Sequence, residues 1–123
     1  MSARLTTEDR RLRAVLEADW QATVLQLAAL HGWRAHHAPR AGVRKNGTVR
    51  RTPHTAPGAP DLILVRGPRL IFAELKRETG RVKPEQAEWL AALTAASAEV
   101  YVWRPSDLCE VRAVLAHRLE PLL

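Results

Sequence analysis

The sequence has little of the chemistry on which several protein classes depend. Cysteine occurs once, as Cys109, so an internal disulfide and a cysteine-based zinc site are excluded. No apolar run approaches the roughly 18 residues that a membrane span requires, and the N-terminal residues lack the apolar core of a signal peptide. The five histidines show no metal-ligand spacing on one element. We therefore expect a cytoplasmic protein that does not contact a membrane.

Acidic residues are missing from one stretch of the chain that is rich in basic ones. Between Arg34 and Arg51 there are six basic residues and no acid, so this stretch holds the whole net charge of +6 and the rest of the chain carries 13 basic and 13 acidic residues. A polyanion-binding surface needs such a concentration, because each neutralised phosphate releases counterions. The alternative is a basic loop that is merely solvated. The nucleic-acid-binding residues predicted here are Arg40, Arg44, Lys45, Arg50 and Arg51.

Length and residue pattern predict one mixed α/β domain spanning residues 1–123. Apolar residues spaced by three and four predict a helix over residues 7–30, capped by Thr7 and ended by Gly32. A second helix should begin at Pro84, and a third should follow Asp107, which resembles a capping pair with Glu110. Strands are predicted at 33–37, 61–66, 70–75 and 100–103. The order α-β-β-β-α-β-α is typical of a central mixed sheet flanked by helices.

Residues 38–57 are predicted to form a basic insertion in this domain. Residues 38 to 60 contain four prolines and three glycines, and Asn46-Gly47 is typical of a type I′ hairpin. We interpret the insertion as a two-stranded flap or a loop. A linker between two domains is the alternative, but the 37 residues before it are too few for a stable core.

The two central strands predict a specific pairing of charged residues. A turn centred between Gly67 and Pro68 places Asp61 opposite Glu74 on neighbouring antiparallel strands. Their Cβ atoms are then about 4.5–5.5 Å apart on one face of the sheet. Lys76 lies two residues beyond Glu74 and emerges on the same face. Two like charges at this distance repel each other unless a positive charge lies between them.

A hard divalent cation resolves that repulsion. Mg²⁺ usually takes one or two carboxylates and keeps several waters, and it can activate a bound water for attack on a phosphate. Lys76 is then placed to position that water or to neutralise developing charge, and the backbone carbonyl of Leu75 is a further possible ligand. The alternative is that Asp61 starts a strand and that Glu74 and Lys76 only face solvent. The apolar residues of both strands argue against it, because they indicate burial on both faces.

The order of these motifs resembles a known family. Gly58-Ala59-Pro60-Asp61, followed after twelve residues by Glu74-Leu75-Lys76, resembles the PD-(D/E)XK nuclease signature. The chain from about residue 14 to 119 is similar to the VRR-NUC branch, although Lys83 stands where members often carry a serine that caps the following helix. The other positions that carry the resemblance are Glu17 and Gln21, Gly32-Trp33, His36 or His37, Gly80, Pro84-Glu85-Gln86, Trp89 and Val100 to Pro105.

The resemblance implies a restriction-endonuclease-like core and metal-dependent hydrolysis of phosphodiester bonds, with Mg²⁺ as cofactor and Mn²⁺ as substitute. It implies that Glu17 reaches the metal, directly or through water, and that Gln86 belongs to the active site. Gln21 and His37 are assigned to nucleic-acid binding. Similar stand-alone members imply a homodimeric, structure-selective endonuclease acting on DNA, of the Holliday-junction or flap type, in bacteria or phage-infected cells and in repair or recombination.

Two other functions stay open at this point. One is a non-catalytic nucleic-acid-binding module, and the other is an RNA-processing nuclease with the same site. The joint presence of Asp61, Glu74 and Lys76 favours an enzyme, because a facing carboxylate pair would repel the phosphates that a binding module must hold. For Glu17 the alternative is an exposed helix acid, and for Gln86 an ordinary polar residue of a first helical turn.

Overall fold

A computed structural model describes residues 4–38 and 57–118, and it confirms the predicted mixed α/β fold. The predicted flap and the basic residues from Arg40 to Arg51 lie outside the described residues. None of the described helices is long and apolar enough to cross a membrane. In chain order the elements are α1 (Thr7–Ala14), α2 (Glu17–Leu30), β1 (Arg34–His37), β2 (Leu62–Arg66), β3 (Arg69–Leu75), α3 (Pro84–Ala95), β4 (Glu99–Trp103), a 3₁₀ turn (Pro105–Asp107) and α4 (Leu108–Ala116).

The four strands form one sheet in the order β1-β2-β3-β4. β1, β2 and β3 are antiparallel neighbours, whereas β4 runs parallel to β3, so that α3 makes the crossover that a parallel connection requires. Gly67 has a φ of 56°, a left-handed conformation that suits the tight turn between β2 and β3. Leu62 pairs with Ala73 and Arg66 with Arg69, which confirms the register predicted from the Gly67-Pro68 turn.

One face of the sheet forms the hydrophobic core. Alternate residues of β2 and β3 point to this face, where α2 and α4 cover them. The indole N–H of Trp20 in α2 donates a 3.0 Å hydrogen bond to the carbonyl of Trp103, which fixes the start of α2 at the C-terminal ends of β3 and β4. The buried core side chains are Trp20, Val24, Ala28, Trp33, Leu62, Leu64, Ile71, Ala73, Leu75, Trp103, Val111 and Leu115.

The opposite face, called here the second face, is less completely covered. Ile63 and Phe72 are half-buried there, and the directly paired Val65 and Leu70 are exposed. α3 packs against β4 and has no fully buried residue. Because the side chains of a strand alternate, Glu74 belongs to this face while its neighbours on both sides point into the core.

The predicted first helix is wrong in its length and its cap. The chain is extended at Val15 and Leu16, so that α1 and α2 are separate helices. The apolar spacing continues through this break, but Leu16 is 55% exposed and α1 has no buried residue, so no packing favours one continuous helix. Thr6, not Thr7, caps α1, because its hydroxyl accepts from the Asp9 N–H while the Asp9 carboxylate accepts from the Thr6 N–H.

The predicted capping pair of the last helix is also wrong. The Asp107 carboxylate accepts a 2.8 Å hydrogen bond from the backbone N–H of Arg104, and it makes no cap hydrogen bond to α4. The reason is the 3₁₀ turn that precedes α4. Asp107 is the third residue of this turn, and its carboxylate reaches back to the N–H of Arg104, the residue just before the turn.

Candidate active site

Asp61 lies one residue before β2, where the β2–β3 register continues to Glu74. Its Oδ2 atom accepts a 3.0 Å hydrogen bond from the backbone N–H of Leu75, and its backbone carbonyl accepts a 3.0 Å bond from Ala38. The aspartate is therefore fixed between the ends of β1 and β3. The structure places it beside Glu74, as the sequence predicted.

Glu74 is a buried carboxylate with one oxygen atom left unpaired. Its side chain is 2% exposed. The Oε1 atom accepts a 2.9 Å hydrogen bond from Gln86 Nε2 and lies 3.5 Å from Lys76 Nζ. The Oε2 atom is buried and has no hydrogen-bond partner among the described residues. A buried acceptor without a partner is destabilising, so this atom is suited to a cation or to an additional donor.

The protonation of Glu74 reflects this environment. Burial raises the pKa of Glu74, and the negative charge of Asp61 raises it further, to about 7. The positive charge of Lys76 opposes both effects without cancelling them. A carboxyl group with a pKa this far above its ordinary value of 4.5 is typical of a functional site.

Gln86 connects the strand to the helix that follows it. Its Oε1 atom accepts a 2.7 Å hydrogen bond from Lys76 Nζ and a 2.9 Å bond from the backbone N–H of Lys83, while its Nε2 atom donates to Glu74. The contact with Lys83 is the half of a capping box in which the third helical residue accepts from the backbone N–H of the residue before the helix, whereas Lys83 itself makes no side-chain cap hydrogen bond. One amide group thus holds Lys76 and Glu74 in place.

Gly58 allows the segment before Asp61 to lie directly against α3. Its φ is 87°, and a Cβ atom at this position would be 2.6 Å from the backbone carbon of Glu85. Only a residue without a side chain fits this contact, since real Cβ atoms do not approach so closely. In the sequence Gly58 is only part of the motif that ends at Asp61, and its contact with α3 is visible only in the structure. The only signal for it was a glycine three residues before Asp61.

Glu17 is the first residue of α2 and is half-buried. The carbonyl of Trp103 accepts both the indole N–H of Trp20, one turn after Glu17, and the backbone N–H of Lys76. These two bonds place the start of α2 at the end of the sheet that carries Lys76. A role for Glu17 toward a metal stays a prediction.

The structure does not bring every predicted nucleic-acid-binding residue to this site. Gln21 is half-buried on α2, and His37 is exposed on β1. His37 pairs with Leu62 and His36 pairs with Ile63, so His36, not His37, is on the second face with Glu74. The arginines and the lysine of the basic insertion lie outside the described residues.

These residues fit a hard divalent cation. The carboxylates of Asp61 and Glu74 are adjacent, and one oxygen of Glu74 is buried without a partner. Within 4–38 and 57–118 no group of three or more His, Cys, Asp or Glu side chains could hold an ion. A hard cation such as Mg²⁺ usually takes one or two carboxylates from a protein, since water completes its coordination. An oxygen-only set of this kind suits a hard cation better than zinc.

Comparison with known proteins gives one finding. The family model described as the VRR-NUC domain matches residues 7–107. The match spans α1 to the 3₁₀ turn and includes Asp61, Glu74, Lys76 and Gln86. No curated protein and no solved structure matches the chain.

Proposed function

The chain belongs to the VRR-NUC domain family, a nuclease domain of the PD-(D/E)XK type, and we propose that it is a divalent-metal-dependent endonuclease that hydrolyses phosphodiester bonds of DNA. The observation that carries the metal dependence is the pairing of Asp61 with a buried Glu74 whose Oε2 atom has no partner among the described residues. Two ionised carboxylates this close together repel each other strongly unless a cation lies between them.

The metal ligands we propose are Asp61, Glu74 and the backbone carbonyl of Leu75, with Glu17 acting directly or through water. When Mg²⁺ or Mn²⁺ is bound there, it supplies Lewis-acid stabilisation of the phosphate and lowers the pKa of a water molecule. The chain itself keeps the ligands in position. The Leu75 N–H restrains Asp61, and Gln86 restrains Glu74.

Lys76 is the residue to which we assign stabilisation of charge on the phosphate. Its ammonium group is held 2.7 Å from Gln86 Oε1 and 3.5 Å from Glu74 Oε1, on the face of the sheet that carries both carboxylates. A fixed cation beside the reacting group stabilises the additional negative charge of the transition state without reorganisation. Its side chain is largely buried, which strengthens that effect because little water screens the charge.

Three finer features of the substrate and assembly belong to the same proposal. We propose a branched substrate such as a junction or flap, and backbone contacts from the basic insertion at Arg40, Arg44, Lys45, Arg50 and Arg51. We also propose a homodimer, because two strands are cut most simply by two sites related by a two-fold axis.

A cleavage panel tests this function. Purified protein is incubated with labelled junction, flap, duplex and single-stranded DNA and with matched RNA, in Mg²⁺, in Mn²⁺ or in chelator. We expect internal cleavage of DNA that requires the metal and is fastest on branched DNA. Binding without cleavage on every substrate would show a non-catalytic module, and preferential cleavage of RNA would show an RNA-processing nuclease.

A further inference from the structure

The loop between β3 and α3 is a second basic region of the chain. Residues 76–83 contain Lys76, Arg77, Arg81 and Lys83 but only one acid, Glu78. The loop joins the strand that carries Glu74 to the helix that carries Gln86. The residues outside the basic stretch 34–51 are neutral when they are summed, because acids elsewhere in the chain compensate the positive charge of this loop. Whether any of these acids lies close to the loop depends on the fold.

The acid within the loop does not neutralise its cations. Glu78 Oε2 accepts a 3.0 Å hydrogen bond from the backbone N–H of Ser106, which directs the carboxylate toward the 3₁₀ turn. Arg81 and Lys83 are exposed. Across the described ranges 4–38 and 57–118, neither of them forms an ion pair with a carboxylate. Their positive charge is thus available to a ligand.

The loop also has a fixed shape. The N–H of Gly80 donates a 2.9 Å hydrogen bond to the carbonyl of Arg77, and the guanidinium of Arg104 donates a 2.9 Å bond to the carbonyl of Gly80. The guanidinium of Arg77 donates to the carbonyl of Arg13, at the end of α1. A loop that is anchored at several points presents its charges at less entropic cost than a free one.

We propose that Arg77, Arg81 and Lys83 form a phosphate-binding surface that grips the nucleic-acid backbone beside the cleavage site. This inference rests on the proposed function for its ligand, a nucleic acid strand. Each strand of duplex DNA carries one phosphate per about 3.4 Å of helix axis, so a strand whose scissile phosphate meets Lys76 carries its next phosphates along the loop that begins there. Such contacts position the strand and read no sequence.

The test compares two charge-matched double variants. Arg81→Gln with Lys83→Gln removes two charges from the loop. Arg112→Gln with Arg118→Gln removes two exposed charges from α4 and from the chain just after it, where Arg118 lies beside the β2–β3 turn at the other end of the sheet. Both are made in a Glu74→Gln background, so that cleavage does not disturb binding. Affinity for a labelled DNA duplex is measured over a salt series in chelator.

We expect the loop variant to lower the log–log salt slope by about 1.8 and the control to leave it unchanged. Arg77→Gln alone should lower it by about 0.9. An unchanged slope in the loop variant, an equal loss in the control, or the absence of salt-dependent binding before substitution would overturn the surface. Thermal unfolding of each variant shows whether it is folded, and the single Arg77 variant provides an independent result.

The outcome can be separated from that of the proposed function. If the loop variant shows the lowered salt slope but the unmodified chain cleaves nothing, the phosphate-binding surface stands and the endonuclease activity is contradicted. If the unmodified chain cleaves DNA but the loop variant keeps its slope, only the surface is contradicted.

Discussion

The backbone N–H of Leu75 donates a 3.0 Å hydrogen bond to Oδ2 of Asp61. This bond fixes the aspartate at the end of β3, beside a glutamate that is buried and has an unpaired oxygen atom. The fold thus holds two acidic groups so close together that their negative charges repel each other. Such an arrangement is typical of a site where a ligand or a reaction uses it. Its energetic consequences can be measured.

The first prediction concerns stability without metal. Because the pKa of Glu74 is raised to about 7 in the folded state, the folded chain binds an additional proton between pH 4.5 and 7. The stability associated with this proton is present below pH 4.5 and is lost as the pH rises through 7. Glu74→Gln should therefore be more stable than the unmodified chain at pH 8, by up to about 3 kcal/mol, and equally stable near pH 4.

Urea unfolding in chelator at several pH values measures this difference. Glu88→Gln is the control, since Glu88 is an exposed acid on α3. If the unmodified chain and Glu74→Gln show the same dependence of stability on pH, the burial of an ionised Glu74 does not have the assigned cost.

The second prediction concerns competition between protons and metal. A cation binds the ionised carboxylate, so a proton on Glu74 must leave before the ion can bind. The affinity for Mn²⁺ should fall as the pH is lowered from 8 to 6. Calorimetric titration at both pH values checks this, and an affinity that is independent of pH would argue against Glu74 as a ligand.

The third prediction concerns Gly58. Gly58→Ala adds a Cβ atom 2.6 Å from the backbone of Glu85 at a φ of 87°. The first turn of α3 must then move away, and Gln86 with it. We expect cleavage to fall at least about tenfold, because small displacements of positioning groups have large effects on rate.

Gly32→Ala is the matched control for Gly58→Ala. Gly32 has a φ of 79° but has nothing within 4 Å of an added Cβ atom. Gly32→Ala should lower the free energy of unfolding by only about 1–2 kcal/mol, which is what a left-handed backbone costs a residue with a Cβ atom. It should keep its activity. Equal activities of the two variants would mean that the contact between Gly58 and Glu85 does not position the site.

The fourth prediction concerns Gln86. Gln86→Ala removes the acceptor of Lys76 and the donor of Glu74 together. We expect kcat to fall by about 10–100-fold, as is typical for residues that orient metal ligands, with little change in KM. The exposed neighbour Glu85 is the control through Glu85→Ala. A loss confined to KM would instead indicate that Gln86 contacts the substrate.

The pairing of Asp61 with Glu74 could be predicted because local signals determine it. The Gly67-Pro68 turn sets the register, and the apolar alternation of two short strands sets the faces. The break at Val15 and Leu16 could not be predicted in this way. Apolar spacing continues through it, and only the folded structure shows that Val15 packs against the core while Leu16 is exposed.

Contacts between distant segments explain the other features that the sequence did not predict. Gly58 meets Glu85 across 27 positions of the chain, and no local pattern records that approach. The exposed charge of Arg81 and Lys83 was hidden by a neutral sum, because net charge does not show which acids lie near which bases. Asp107 is a further case, because the 3₁₀ turn places its carboxylate at the N–H of Arg104 and not at the first turn of α4.

The most direct test of the account measures DNA cleavage against Mg²⁺ concentration for the unmodified chain, Asp61→Asn, Glu74→Gln and the control Glu88→Gln. We predict that the unmodified chain and Glu88→Gln cleave equally and only with metal. Asp61→Asn and Glu74→Gln should lose at least about 10²–10³-fold in rate while they keep their affinity for DNA. Cleavage by either carboxylate variant at the unmodified rate, or equal cleavage by the unmodified chain in chelator, would contradict the account.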